Sequence, residues 1–133
     1  MYKIIIYQDK NGRSEIEEYI KSLSIKEDKT SKIKYSKIIA YIRLLREEGI
    51  KIGQPYVKYI MDDIWELRPL RDRILFAYCK DKEFVLLSVF MKKTQKTPLK
   101  EITKAKKLLK EFKKRRGEQW VRILRLGRKL KKT

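Results

Sequence analysis

The sequence predicts an α+β domain in which a strand and two helices precede a three- to four-stranded antiparallel meander and a final helix. Short segments rich in β-branched and aromatic residues are typical of strands. Other segments repeat apolar residues every three or four positions, which is typical of amphipathic helices. The strand segments follow one another in the middle of the chain and do not alternate with helices, so a parallel βαβ sheet is not expected.

The first part of the chain predicts one strand and a helical hairpin. Residues 3–7 are β-branched and aromatic and form the first predicted strand. Residues 14–23 have helical spacing, and Ser14 stands where an N-cap belongs. A longer helix is expected over residues 31–48, with Gly49 at the position of a helix-ending glycine. Two helices joined by a short loop can cover one face of a sheet.

The second part predicts the meander and the last helix. Strands are expected at residues 56–60, where the strand is short and at an edge, and at residues 64–68, 73–79 and 84–91. The apolar run Phe84-Val85-Leu86-Leu87 indicates a central strand that is covered on both faces. Thr97-Pro98 has the form of an N-cap followed by proline at the first helical position, and this third helix is expected to end near Gly117.

The organisation predicted from these patterns is one domain over residues 1–117 and an extension over residues 118–133. In the extension, apolar residues interleave with arginine and lysine, as in a basic amphipathic helix. Binding to ribosomal RNA, to a protein partner or to a membrane surface are open alternatives, and so is an extension with little function. We favour a helix that is ordered by a partner or by self-association.

The composition limits the chemistry. The 133 residues include 36 lysines and arginines against 17 acidic residues, a net charge of +19, which favours nucleic acid as the partner. Histidine is absent, which excludes Ser-His-Asp and Cys-His catalysis. The single cysteine, Cys79, excludes an internal disulfide, and its apolar surroundings indicate an inert thiol. We expect no cofactor, no membrane span and a cytoplasmic location.

The segment at residues 65–73 is the richest in candidate site residues. Strand alternation places Glu66 and Arg68 on one face, and Arg73, at the start of the next strand, is expected to return toward them. Arg71 stands at the tip of the connection. A phosphate site and a surface ion pair with solvated arginines are both compatible with this pattern.

A second cluster, residues 91–98, leaves the last strand and enters the third helix. Its lysines are Lys92, Lys93 and Lys96. Lysines beside a helix N-terminus suit an anion, although a solvated lysine-rich loop has the same composition. Together with the arginine-bearing strands, this cluster predicts a concave basic site on the sheet.

The sequence patterns WELRPLRDR at residues 65–73 and FMKKTQKTP at residues 90–98, with FVLL between them, resemble HigB-type toxins of the Gp49-like branch of the RelE/ParE superfamily. The resemblance covers about residues 1–116. It implies a RelE/ParE-like fold and a type II toxin that cleaves mRNA on the ribosome without a metal ion. It also implies neutralisation by a HigA-like helix-turn-helix antitoxin, through which alone the toxin reaches operator DNA. In RelE relatives the substrate's 2′-hydroxyl attacks the adjacent phosphate.

The resemblance also implies roles for individual residues. Arg73 aligns with a phosphate-stabilising arginine, Lys92 or Lys93 with a basic residue after the last strand, and Arg68 with another basic position. RelE has lysine where this chain has Glu66, and its C-terminal tyrosine has no counterpart here. Glu66 as the base with a lysine as the acid is one hypothesis, and electrostatic catalysis aided by ribosomal groups is another. The residues predicted to contact RNA are Lys58, Arg71, Lys96, Tyr56 and Tyr59. For the two tyrosines, packing against neighbouring residues is the alternative.

Two other functions are compatible with the sequence. One is a ParE-type toxin that poisons gyrase by binding it. The other is a non-catalytic nucleic-acid-binding module carried by the basic third helix and the extension. The basic cluster argues for RNA cleavage, since a gyrase-binding protein needs no phosphate site.

Overall fold

The computed structural model describes the backbone of residues 1–131 and the side chains of residues 1–117. The elements in chain order are strand β1 (Lys3–Ile6), helices α1 (Glu15–Ser24) and α2 (Lys29–Glu48), a 3₁₀ turn (Gly49–Ile52), strands β2 (Val57–Met61), β3 (Ile64–Leu67), β4 (Asp72–Cys79) and β5 (Glu83–Met91), and helix α3 (Leu99–Lys131). The predicted α+β class and element order are confirmed.

The five strands form one mixed sheet in the order β1-β5-β4-β3-β2. Strands β2 to β5 make the predicted antiparallel meander. Strand β1 lies beside β5 and runs parallel to it, with Lys3 opposite Glu83 and Ile6 opposite Leu86. Because β1 occupies the far edge, β5 becomes an inner strand, as its apolar run predicts.

Helices cover both faces of the sheet. The hairpin of α1 and α2 packs on one face, where Ile16 and Ile38 meet Phe76 and Phe84. Helix α3 packs on the other face, with its buried residues Ala105 and Leu109 beside Leu75, Val85 and Leu87. Successive β5 side chains are therefore buried on opposite faces, which explains the absence of polar residues in the run at residues 84–87.

The two helices of the hairpin begin at capping side chains. The Ser14 hydroxyl accepts a 3.1 Å hydrogen bond from the Glu17 backbone N–H, as predicted. Helix α2 starts at Lys29, two residues before its predicted start, because the Asp28 carboxylate caps it by accepting from the Ser31 N–H at 3.0 Å. Gly49 ends α2 with a φ of 71°, a conformation that favours glycine.

Helix α3 differs from the prediction at both ends. It begins at Leu99, and the Thr97 hydroxyl does not cap it but donates to Glu66. The prediction of an end near Gly117 is wrong, since the backbone continues as one helix to Lys131. A glycine inside a helix costs only about 1 kcal/mol, which need not stop it. The side chains of residues 118–133, and the amphipathic face predicted there, lie outside the described part.

In the part of the chain that the structure describes, no helix is both long and apolar enough to cross a membrane. Cys79 is half-buried at the end of β4, and burial raises the pKa of its thiol. A raised pKa keeps the thiol protonated at neutral pH, in agreement with the inert thiol predicted above.

Candidate active site

The turn between β3 and β4 fixes the position of Arg73. The Asp72 N–H donates to the Pro69 carbonyl at 3.1 Å, and Leu70 has a φ of 58°, in the left-handed region that leucine rarely adopts. Nη1 of Arg73 donates to the carbonyls of Leu70 at 2.7 Å and of Asp72 at 2.9 Å. The strained turn therefore presents two carbonyl oxygens to the guanidinium of Arg73.

The carboxylate of Glu66, in β3, contacts Arg73 in β4 and so connects the two strands. Its Oε1 lies 3.4 Å from Nε of Arg68 and 3.6 Å from Nε of Arg73. Its Oε2 accepts a 2.7 Å hydrogen bond from the Thr97 hydroxyl, which comes from the segment before α3. Glu66 is only 3% exposed. The structure thus places Arg73 beside Glu66 and Arg68, as strand alternation predicts, and both carboxylate oxygens are engaged.

Arg73 is a buried cation in a positively charged neighbourhood. It is 6% exposed. Burial lowers the pKa of its guanidinium, and the positive charges of Arg68 and Arg71 lower it further, while Glu66 and Asp72 act in the opposite direction. One carboxylate faces both Arg68 and Arg73, so the cluster retains a surplus of positive charge.

A cavity of about 350 Å³ opens on the surface next to this cluster. Its lining residues are Leu70, Arg71, Arg73, Lys92, Lys93, Thr94 and Gln95. Four of these side chains are cationic and none is anionic. A concave site with convergent lysines and arginines suits a phosphate group, which guanidinium groups contact through paired hydrogen bonds.

Backbone and side-chain hydrogen bonds hold the two sides of this cavity together. The Lys92 N–H donates to the Arg71 carbonyl at 2.7 Å, and Nη2 of Arg71 donates to the Lys92 carbonyl at 3.1 Å. These bonds tie the loop after β5 to the β3–β4 turn. Helix α3 begins at Leu99, beyond Gln95, so its N-terminus is not part of the lining, in contrast to the expectation for the lysine cluster.

The predicted catalytic residues fall into two groups. Arg73, Lys92 and Lys93 line the cavity. Glu66 and Arg68 do not line it and contact Arg73 or one another beside it. The geometry therefore separates residues that can touch a bound phosphate from residues that hold Arg73 in place.

The predicted RNA-binding residues are more dispersed. Arg71 lines the cavity, whereas Lys96 is exposed on the following loop outside the lining. Lys58 is exposed on β2 as the cross-strand neighbour of Glu66. Tyr56 and Tyr59 are absent from the cavity lining. Tyr56 packs edge-on against Tyr41 and Tyr59 against Trp65, with ring centroids 5.2 and 5.3 Å apart, which is the packing alternative.

Three further residues support the site from the opposite face and were not predicted. Asp72 is 1% exposed, and its Oδ1 accepts a 2.7 Å hydrogen bond from the Tyr19 hydroxyl and lies 3.7 Å from Nζ of Lys34. Burial raises the pKa of Tyr19, and hydrogen bonding to Tyr19 together with the charge of Asp72 raises the pKa of Lys34. The cluster connects α1 and α2 to the first residue of β4.

The contact of Thr97 with Glu66 was also not predicted, because the Thr-Pro pattern indicates a helix cap first.

Among the residues with described side chains, no three acidic or cysteine residues are grouped so that they could hold a metal ion.

Comparisons with known proteins place the chain in a family. The model of the phage-derived Gp49-like proteins matches residues 18–110, which is more than half of the chain. The crystal structure of the archaeal RelE–RelB complex from Pyrococcus horikoshii OT3 is similar with a TM-score of 0.46 and 17% identity, over 68% of this chain and 93% of that chain. No curated protein matches the sequence significantly. The chain belongs to the phage-derived Gp49-like family.

Proposed function

We propose that this protein is a toxin of a toxin–antitoxin system of the RelE superfamily, and that it is an endoribonuclease that cleaves mRNA on the ribosome and thereby stops translation. The observation that supports the proposal is the cavity at the β3–β4 turn, which four cationic side chains and no carboxylate line. The net charge of +19 adds a long-range attraction for RNA. Action on the ribosome is the function that the family resemblance implies.

In the proposed reaction the substrate supplies its own nucleophile. The ribose 2′-oxygen forms a bond to the adjacent phosphorus while the bond from phosphorus to the 5′-oxygen breaks, which leaves a 2′,3′-cyclic phosphate and a 5′-hydroxyl. A proton leaves the 2′-hydroxyl, and the leaving oxygen gains one. Negative charge builds up on the phosphorane oxygens, where preorganised cations stabilise the transition state most.

The described contacts support a division of roles. Arg73 contacts the phosphate, because it lines the cavity and two carbonyls and Glu66 fix its orientation. Lys92 or Lys93 supplies a second charge from the loop after β5. Glu66 acts as a positioning residue for Arg73, since both of its oxygens are engaged. Arg71, Lys58 and Lys96 extend the contact along the RNA.

Primer-extension mapping of cellular mRNA after expression of the toxin tests this proposal. The wild-type chain should produce new 5′ ends within coding regions, and Arg73→Lys should reduce them by about 100-fold or more, as for loss of one transition-state donor. Lys92→Gln combined with Lys93→Gln should have a comparable effect. Lys80→Gln is the matched control, because Lys80 is an exposed lysine just beyond the other end of β4.

Each alternative function has its own result in this experiment. Undiminished cleavage by both site variants would show that the cavity is not the active site. Growth arrest without new 5′ ends would favour a gyrase poison. RNA binding without cleavage or growth arrest would favour a non-catalytic binding module. Unfolding midpoints of the purified variants ensure that a lost activity does not reflect a lost fold.

We further infer that a HigA-like helix-turn-helix antitoxin neutralises the toxin in the cytoplasm, and that the antitoxin supplies the contacts by which the toxin–antitoxin complex binds operator DNA. In a gel-shift assay with 100-fold excess competitor DNA, the toxin with its antitoxin should retard an operator fragment, and the toxin alone should not. Specific retardation by the toxin alone would contradict this inference.

A further inference from the structure

Four basic side chains of α3 form ion pairs with carboxylates of other elements. Four ion pairs of this kind connect the helix to the sheet and to α1: Lys104 with Glu15 at 2.6 Å, Lys106 with Asp62 at 2.6 Å, Lys113 with Asp63 at 4.0 Å, and Arg116 with Glu83 at 2.6 Å. These residues therefore have a structural partner already, and their charge is largely compensated within the molecule.

A second group of lysines on α3 differs in orientation and in pairing. Lys100, Lys107 and Lys110 are exposed, and their spacing of seven and three residues places them on one side of the helix. That side points away from the sheet, since Ile102, Ala105 and Leu109 occupy the buried side. Among residues 1–117, none of the carboxylates forms an ion pair with these three lysines. We call them the lysine stripe.

The surroundings of the lysine stripe indicate what kind of partner it fits. Leu99, the first residue of α3, is 69% exposed, and between residues 100 and 117 no large apolar side chain of the helix is exposed. Protein interfaces need apolar or aromatic anchors at their centre, and the middle of this surface has none. A row of three exposed ammonium groups about 15 Å long, none of which is in an ion pair within the described residues, matches the repeating charges of a nucleic-acid backbone instead.

We propose that the lysine stripe is a second RNA-binding surface, which contacts backbone phosphates of structured RNA independently of base sequence. Helix α3 begins at Leu99, four residues after Gln95 in the cavity lining, so Lys100 at the start of the stripe is close to the cavity along the chain. The proposal concerns binding only and does not rest on the cleavage reaction.

Equilibrium binding of the full chain to an RNA hairpin at several salt concentrations tests this proposal. A hairpin with 2′-O-methyl riboses is the probe, because it has no free 2′-hydroxyl and stays intact whether or not the toxin is a ribonuclease. The test variant carries Lys100→Gln, Lys107→Gln and Lys110→Gln. The matched control carries Lys21→Gln, Lys29→Gln and Lys37→Gln, which removes three exposed lysines from the helical hairpin on the opposite face.

Each phosphate contact contributes about 0.7 to 0.9 to the slope of log affinity against log salt. The stripe variant should therefore lose about 2 from the slope, and the control variant less than 1. Equal losses would show that only the net charge matters and would overturn the proposal. An unchanged slope for the stripe variant would also overturn the proposal. If the stripe variant bound RNA as the wild type does but bound the antitoxin more weakly, the surface would be a protein-binding site and the proposal would again be overturned.

Discussion

The hydroxyl group of Tyr19 donates a 2.7 Å hydrogen bond to Oδ1 of Asp72, the residue immediately before Arg73 in the chain. The carboxylate of Asp72 thus faces the helical hairpin while its carbonyl accepts from Arg73 on the other side of the strand. The buried Asp72 therefore connects the helical hairpin to the candidate active site. Packing of α1 and α2 therefore helps to determine where the guanidinium lies.

Tyr19→Phe should lower the free energy of unfolding by about 1–3 kcal/mol, because it leaves a buried carboxylate oxygen without its hydroxyl partner. Urea unfolding measures the loss. Tyr59→Phe is the matched control, since the Tyr59 hydroxyl donates a bond of the same length, 2.7 Å, to the Asp62 carbonyl at an exposed site. Its effect should stay below about 0.5 kcal/mol. Equal losses would contradict the importance of burial at Asp72.

The same cluster predicts a loss of stability in alkali. The folded-state pKa values of Tyr19 and Lys34 are both raised, so the folded protein holds protons that the unfolded chain releases above about pH 10. The contribution to stability is complete below that pH and declines as the pH rises through the folded-state pKa values. Unfolding free energies measured between pH 8 and 11 should fall less steeply for Tyr19→Phe than for the wild type. Parallel slopes would contradict this account.

Glu66→Gln should destabilise the protein by about 3–5 kcal/mol, because it removes the carboxylate that faces the buried guanidinium of Arg73 and the half-buried guanidinium of Arg68. Thr97→Val removes one neutral donor to the same carboxylate and should cost about 1–2 kcal/mol. Thermal unfolding of both variants checks the order of the two effects. A larger loss for Thr97→Val would mean that the ion pairs contribute little.

Gly49→Ala should cost about 2–4 kcal/mol for two separate reasons. The backbone φ of 71° disfavours any residue with a Cβ, and that Cβ would lie 2.7 Å from Cε2 of the Tyr2 ring. Gly12→Ala measures the backbone effect without the steric clash, since Gly12 has a φ of 80° and no atom lies within 4 Å of the added Cβ. That variant should lose only about 1 kcal/mol. Chemical denaturation of both variants gives the difference.

The local features of this fold could be predicted from sequence, and the distant contacts could not. Ser14, the apolar run of β5 and the approach of Arg73 to Glu66 all follow from helical or strand periodicity over short stretches. Tyr19 and Asp72 stand 53 positions apart, and no local pattern distinguishes that tyrosine from one that only packs. The parallel pairing of β1 with β5 likewise depends on tertiary packing, and the helix across Gly117 shows that a weak stop signal can be overridden.

The pairing of the first strand with the last has a consequence for how the protein folds during synthesis. Lys3 pairs with Glu83, so the N-terminal strand has no partner in the sheet until some 80 further residues have left the ribosome. Contacts between such distant segments form slowly, because a long loop must close before they contribute any stability. The residues around the cavity, from Glu66 to Thr97, also emerge late in synthesis. A nascent chain therefore carries no assembled basic cavity until Thr97 and the residues before it have left the ribosome.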